Sequence, residues 1–281
     1  MRFDWSRMGR IPPTALVAAR NLAHHAAQWP ARAARSNLSP VPDDSHSAFT
    51  WDASHAALVS RVLPAKGGAV QVGIRLARLE LIVTSGDSVL DAFQFEGKTD
   101  PSAGAWLDSK LHALGLKPAS GVKLPYALPD HPAGGRSHEL GMLGRELGEL
   151  SRWFGGPAEM LEEFAGKLAG LRPGPGPLLC WPHHFDMATL VQLGGDPPRS
   201  VGVGVSPGDE FYAQPYVYVS PWPRFDVGNL PALPPPGHWH TEGFFGAVVT
   251  GEEILAMKDR GKALLAFITG AFEIGRERVG A

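Results

Sequence analysis

Two stretches of alternating apolar residues constrain the fold of this 281-residue chain more than any other feature. Residues 49–96 contain AVQVGIRLARLELIVTSGDSVLDAFQFE, in which apolar residues alternate on both sides of the turn TSGDS. A second set of such segments covers residues 178–193, 200–206, 214–220 and 238–249. A period of two is typical of strands, so both stretches predict β-sheet.

Segments with three- and four-residue apolar spacing lie between and around these strands, and this spacing predicts helices. In one of them, Asp100 is expected to be the N-cap and Pro101 to occupy the first helical position. The helical residues 137–171 form an insert that we expect to break at Gly155-Gly156-Pro157. The predicted helices cover residues 14–34, 101–115, 138–170 and 252–277.

These elements predict an α+β fold with largely antiparallel sheet or sheets and packed helices. At 281 residues, the whole chain 1–281 is expected to form one domain. Residues 49–76 and 179–206 share an order of Trp, His, Leu-Val and a Val-Gly strand. A duplication would give two similar sheet-plus-helix halves, residues 49–116 and 178–277. Chance similarity between apolar strands accounts for the same order.

Charge and hydropathy exclude several classes of partner. The net charge is −2 with a pI near 6.6, and no basic stripe is present, so we expect no nucleic-acid partner. No run approaches the roughly 20 apolar residues that span a bilayer, so we expect no membrane partner. The first residues lack the pattern of a secretory leader, which favours a cytoplasmic protein. The sequence does not indicate an oligomeric state.

Two short segments concentrate four of the eleven histidines: CWPHHFDMATL at residues 180–190 and GHWHTEGFF at residues 237–245. If both are extended, alternate side chains within each segment share a face. Imidazole and carboxylate groups are ligands that Zn²⁺ and Fe²⁺ use. Zinc and iron are therefore the candidate cofactors, although the sequence does not identify the cofactor. The candidate ligands are His184, Asp186, His238 and His240.

Other polar and aromatic residues of the same segments, and of PDDSH and SPGDEFYAQPYVYVSPWP, complete a predicted pocket for a small-molecule ligand. His183 and Glu242 are the candidate proton-transfer groups, because imidazole and carboxylate groups accept and donate protons in catalysis. Tyrosines offer apolar area with a hydroxyl, which suits a ligand-binding wall. The candidate substrate-binding residues are His46, Asp209, Glu210, Tyr212, Tyr216, Tyr218 and Trp222.

Four strings, PDDSH, CWPHHFD, SPGDEFYAQPYVYVSPWP and GHWHTEG, together resemble a family of bacterial proteins of unknown function. That family carries similar strings in the same order, and the resemblance covers roughly residues 20–275. It implies a single fold along the chain. It brings no activity, cofactor or catalytic residue with it.

Three hypotheses about function remain open at this point. The first is a metal-assisted enzyme for a small molecule, of hydrolytic or non-haem-iron type. The second is a metal-free protein that binds a small polar or aromatic ligand in the same pocket. The third is a structural or interaction protein whose histidines form hydrogen bonds that hold loops to the sheet.

Overall fold

The computed structural model describes residues 3–280, and these residues form an α+β fold with two antiparallel sheets and packed helices, as predicted. Contacts along the backbone divide the chain into two compact units. The first unit comprises residues 15–152 and 179–185. The second unit comprises residues 3–14, 153–178 and 186–280.

The first sheet belongs to the first unit and is built from the alternating residues 49–96. Its strands are β1 (Thr50–Asp52), β2 (Ala57–Val59), β3 (Leu63–Ala65), β4 (Gly68–Arg75), β5 (Glu80–Ser85) and β6 (Ser88–Gln94). They pair in the order β1-β2-β4-β5-β6, with β3 also on β4, and every pairing is antiparallel. Val72 and Ile74 of β4 and Leu81 and Val83 of β5 are buried, because both strands lie inside the sheet.

The second sheet lies in the second unit. The remaining strands of the chain are β7 (Gly174–Pro175), β8 (Leu179–Cys180), β9 (Met187–Gly194), β10 (Arg199–Ser206), β11 (Tyr216–Trp222), β12 (His238–His240) and β13 (Gly246–Thr250). Within the second unit the order is β12-β13-β11-β10-β9-β7, again antiparallel. β8 belongs to the first unit, where Phe49 and Cys180 exchange two backbone hydrogen bonds of 2.8 Å.

Two helices of the first unit agree with the predicted positions. Helix α1 spans Val17–Asn37 and buries an alanine-rich face, and α2 spans Asp100–Ala113. The N-cap of α2 is Thr99, whereas the sequence had predicted Asp100. Thr99 forms a capping box with Ser102, so Asp100 becomes the first helical residue.

Helix α3 spans Gly144–Lys167 without interruption, so the predicted break at Pro157 is wrong. An interior proline costs about 3 kcal/mol. The buried side chains of Phe154, Leu161 and Phe164 lie before and after it. Each contributes about 1.5–3 kcal/mol, so their burial on one continuous face outweighs the cost of the proline.

The predicted helix at residues 252–277 is instead two helices, α4 (Gly251–Ala256) and α5 (Arg260–Arg278). Arg260 stabilises the break between them. Its guanidinium group donates to the carbonyl of Leu255 (2.9 Å) and to the carbonyls of Trp5 (3.1 Å) and Met8 (3.0 Å). Within residues 3–280, no helix has the length and apolar character that crossing a membrane requires.

Candidate metal centre

One group of metal-ligating side chains lies in the first unit, at the start of α2 and in the loop that follows it. Asp100, His131 and His138 each offer one ligand atom, and these atoms all lie within 4.8 Å of one another. His131 Nε2 is 2.7 Å from Asp100 Oδ2, and His138 Nε2 is 3.4 Å from Asp100 Oδ1. Within residues 3–280 this is the only group of three or more His, Cys, Asp or Glu residues with such spacing.

Backbone hydrogen bonds fix the position of His138 beside the end of the first sheet. Its amide donates to the carbonyl of Lys98 (2.9 Å), and its carbonyl accepts from the amide of Gly97 (2.8 Å). Its ring contacts Phe95 edge-on with 5.0 Å between centroids, and its side chain is completely buried. His138 and Asp100 are therefore held close together, because residues 97–99 lead directly into α2.

Residues 117–139 form an irregular loop, which includes residue 138, where the sequence had predicted the start of a helix; the observed helix begins at Gly144. This loop also positions His131. Nδ1 of His131 accepts a hydrogen bond from the amide of Ala133 (3.0 Å). The His131 ring lies 4.3 Å from the ring of His25, whose Nε2 donates to the carbonyl of Pro129 (2.7 Å). An imidazole that accepts through Nδ1 carries its proton on Nε2 when neutral, so the His131 proton faces Asp100.

The cluster keeps a negative charge on its carboxylate. Burial alone would raise the pKa of Asp100, but the close imidazole rings of His138 and His131 outweigh burial and lower the pKa below its ordinary value. Burial also lowers the pKa of His25, which favours its uncharged form. At neutral pH the site therefore contains an anionic carboxylate, as a divalent cation requires.

The ligand atoms have the spacing of a coordination sphere. Nitrogen and oxygen ligands at about 2.0–2.2 Å from a first-row metal lie about 2.8–3.6 Å from their neighbours at octahedral or tetrahedral angles. The distance of 3.4 Å from His138 to Asp100 Oδ1 falls in this range, and the distance of 2.7 Å from His131 to Asp100 Oδ2 is slightly shorter. A shared ion would therefore bind Asp100 through both oxygens, or through one oxygen after a small movement of the side chains.

Buried ring nitrogens without hydrogen-bond partners also indicate a metal centre here. His131 Nε2 and both ring nitrogens of His138 are buried and have no hydrogen-bond partner within the described chain. Although Asp100 lies within ion-pair distance of both rings, the angles do not meet hydrogen-bond geometry. Each buried polar group left in this state costs about 1–3 kcal/mol, so a ligand shared by both rings would remove a substantial cost.

The candidate residues that the sequence singled out lie in two other places. In the second unit, strand alternation places His238 and His240 on one face of β12, as predicted. Tyr212 Oη lies 3.0 Å from His238 Nε2 and 3.0 Å from His240 Nδ1. His240 Nε2 donates to the carbonyl of Glu242 (2.5 Å), so with neutral His240 the Tyr212 hydroxyl donates to Nδ1 and accepts from His238.

Two further tyrosines on β11 donate to carboxylates. Tyr216 Oη lies 2.5 Å from Asp209 Oδ2, and Tyr218 Oη lies 2.5 Å from Asp186 Oδ2. Burial, followed by the charge of the carboxylate, raises the pKa of both phenols. Both therefore remain protonated donors and tie Asp209 and Asp186 into the sheet. Three other candidates from the sequence, Glu210, Trp222 and Glu242, are exposed.

The segment CWPHHFD is not the extended strand that the sequence predicted. Residues 181–184 form a turn in which the Phe185 amide donates to the carbonyl of Trp181 (2.7 Å) and Phe185 has a φ of 59°. His24 of α1 is buried and donates from Nε2 to the carbonyl of Pro182 (2.7 Å). These contacts hold the turn against α1, so the alternating faces expected for residues 180–186 do not occur.

His183 and His46, two further candidates, lie in the first unit. The rings of His183 and His184 are 4.3 Å apart, and burial is the main cause of the lowered pKa of His183. Nδ1 of His46 accepts from the amide of Val41 (3.4 Å). His46 lines a surface cavity of about 580 Å³.

Of the four predicted metal ligands, His184 belongs to the first unit, and Asp186, His238 and His240 belong to the second. None of them is part of a metal-type group within residues 3–280. The residues that do form one were missed, because Asp100 had been assigned to capping, His138 to the start of a helix, and His131 to no site. The one signal in the sequence was their density in DHPAGGRSH, residues 130–138.

No protein-family model, curated protein or solved structure matches the chain.

Proposed function

We propose that this protein is a metal-dependent enzyme for a small molecule, with a zinc or ferrous ion bound by Asp100, His131 and His138. The observation that carries the proposal is the set of buried ring nitrogens without hydrogen-bond partners, grouped around one carboxylate. Two histidines and one carboxylate are a ligand set of catalytic zinc and of non-haem iron sites. The proposal keeps the hypothesis of a metal-assisted enzyme but assigns the metal to other residues than those predicted from the sequence.

Three protein ligands leave a coordination position for water or substrate, and a bound metal ion lowers the pKa of that water or polarises the substrate. The chain supplies the charge balance and the orientation. Asp100 neutralises part of the cation charge, and the backbone bonds of His138 hold its ring in place. The contact with His25 limits the rotation of the His131 ring.

Metal binding at this site changes the tautomer of His131. In the metal-free protein the proton of neutral His131 lies on Nε2, the nitrogen that faces Asp100, so a metal ion at Nε2 must displace it. The proton then lies on Nδ1, where it opposes the N–H of Ala133. The turn at Ala133 should therefore change when the ion binds.

The first test is the metal content of the purified, untagged protein, measured by inductively coupled plasma mass spectrometry after anaerobic preparation. Asp100→Asn removes the anionic ligand while it keeps the shape of the side chain. His112→Ala is the matched control, because His112 is an exposed histidine on the same helix. We expect near-stoichiometric zinc or iron in the wild type and the control, and loss of metal in Asp100→Asn.

A double variant, His184→Ala with His240→Ala, separates this site from the one that the sequence suggested. We expect it to keep its metal. If the double variant loses metal and Asp100→Asn retains it, the site lies at the residues of the sequence hypothesis. If the wild type takes up neither zinc nor iron even when they are added in excess, the metalloenzyme proposal is wrong.

A further inference from the structure

A cavity opens beside His138 on the side of the loop that connects the two histidine ligands. Its volume is about 530 Å³, which is within the range of small-molecule sites. Arg136, Ser137 and Glu139 contribute its polar wall, and Leu22 and Leu143 contribute part of its apolar wall. A substrate that reaches the metal through this cavity passes Arg136.

Tight turns in the loop present Arg136 to this cavity. The amide of Gly134 donates to the carbonyl of His131 (3.0 Å), and the amide of Arg136 donates to the carbonyl of Ala133 (3.0 Å). Gly134 and Gly135 have φ values of 54° and 83°, which favour glycine. The sequence Gly-Gly-Arg between the two ligands therefore places a cation two residues before His138.

The guanidinium group of Arg136 is largely unused by the protein. Its Nε donates to the carbonyl of Ala133 (3.3 Å). Among residues 3–280, Nη1 and Nη2 have no hydrogen-bond partner, and Arg136 has no carboxylate within the 4.0 Å of an ion pair. A planar guanidinium group with two available donors binds a carboxylate or a phosphate in a bidentate manner.

The charges around the cavity also favour an anion. With a dication bound, the carboxylates of Asp100 and Glu139 offset part of the charge of the ion and of Arg136. The remaining net charge is about one positive unit, which attracts and retains an oxyanion.

We propose that the substrate carries a carboxylate or phosphate that Arg136 binds, while a neighbouring atom of the same molecule reaches the metal. This inference rests on the proposed metal centre. It specifies the class of substrate, an anionic small molecule, and assigns Arg136 as the residue that selects it.

The test uses the full-length protein loaded with cobalt(II), whose visible absorption spectrum reports on the metal. Inorganic phosphate and acetate are titrated separately, so that the two oxyanions are distinguished, and acetamide is the uncharged probe. Arg136→Gln removes the cation from the exposed loop. Arg145→Gln is the control, since Arg145 is an exposed arginine outside the cavity wall.

We expect at least one of the two anions to shift the cobalt spectrum of the wild type, with acetamide inactive. Arg136→Gln should bind cobalt normally and weaken anion binding about tenfold or more, while Arg145→Gln should behave as the wild type does. If cobalt binds but neither anion shifts the spectrum, or Arg136→Gln binds anions as tightly as the wild type, the inference about the substrate is wrong and the metal centre stands. If cobalt does not bind, both proposals fail.

Discussion

Zinc should raise the melting temperature of the wild-type protein much more than that of Asp100→Asn. A ligand that binds only the folded state stabilises it by about 2.7 kcal/mol at 100 times its dissociation constant. For a chain of this length, 1 kcal/mol corresponds to a change of about 2–4 °C in melting temperature. The expected increase for the wild type is therefore about 5–11 °C.

The structure sets the expectation for the variant. Asp100 is the one anionic ligand of the group and is within 3.4 Å of both ring nitrogens. Residues that only orient a ligand change metal affinity by about 10- to 100-fold, so the loss of a direct ligand should cost about 100-fold or more. At the same zinc concentration the variant is then near its own dissociation constant. It gains only about 0.4 kcal/mol, or about 1–2 °C.

Differential scanning fluorimetry with and without zinc measures both shifts, with His112→Ala as the control that should behave as the wild type does. Comparing each protein with its own metal-free form removes any effect of the substitution on the fold itself. Equal zinc-induced increases in the wild type and Asp100→Asn would refute the assignment of Asp100 as a ligand.

Three further predictions concern the Asp100 carboxylate, the Tyr218 hydroxyl and the Ala133 amide. Because the pKa of Asp100 is below its ordinary 3.8, its carboxylate stabilises the fold above about pH 4, and this contribution is lost as the pH falls through the lowered pKa. In urea unfolding, the difference in stability between the wild type and Asp100→Asn should therefore shrink as the pH falls below about 4, and a constant difference would contradict this. Tyr218→Phe should lower the free energy of unfolding by about 1.5–3 kcal/mol, measured with urea, since it removes the hydrogen bond to the Asp186 carboxylate; a change within error would contradict that role. Zinc should shift the Ala133 amide signal in a nitrogen–proton correlation spectrum of labelled protein, because coordination moves the His131 proton toward that amide; an unmoved signal in zinc-bound protein would exclude coordination through Nε2.

Secondary structure was the part of this protein most accessible from its sequence. The period of two in residues 69–96 identified real strands, because successive side chains of a strand point to opposite faces of the sheet. The predicted bounds of helices α1 and α2 lie within a few residues of the observed ones, because each helix buries apolar residues at helical spacing. The errors occurred where tertiary contacts override local signals: burial along α3 keeps the helix intact at Pro157, and the side chain of Arg260 stabilises the break between α4 and α5.

The pocket predicted from the sequence was also correct where local strand geometry decides and wrong where contacts between distant residues decide. His238 and His240 share a face because strand geometry dictates it, and Tyr212 contacts both. His184 and Asp186 do not follow the predicted alternation, because Phe185 adopts a positive φ and the chain turns. A left-handed phenylalanine has no local sequence signal, since its conformation is held by packing against α1.

The sequence by itself determined the α+β class, the location of most strands and helices, and a concentration of histidines and carboxylates that indicates polar chemistry. Only the tertiary structure decided which of them meet. His131 and His138 lie 31 and 38 residues after Asp100 in a loop with no regular period, so no pattern brings them together. Backbone hydrogen bonds of His138 to Gly97 and Lys98, just after the first sheet, close that loop, and such contacts between distant residues have no local sequence signal.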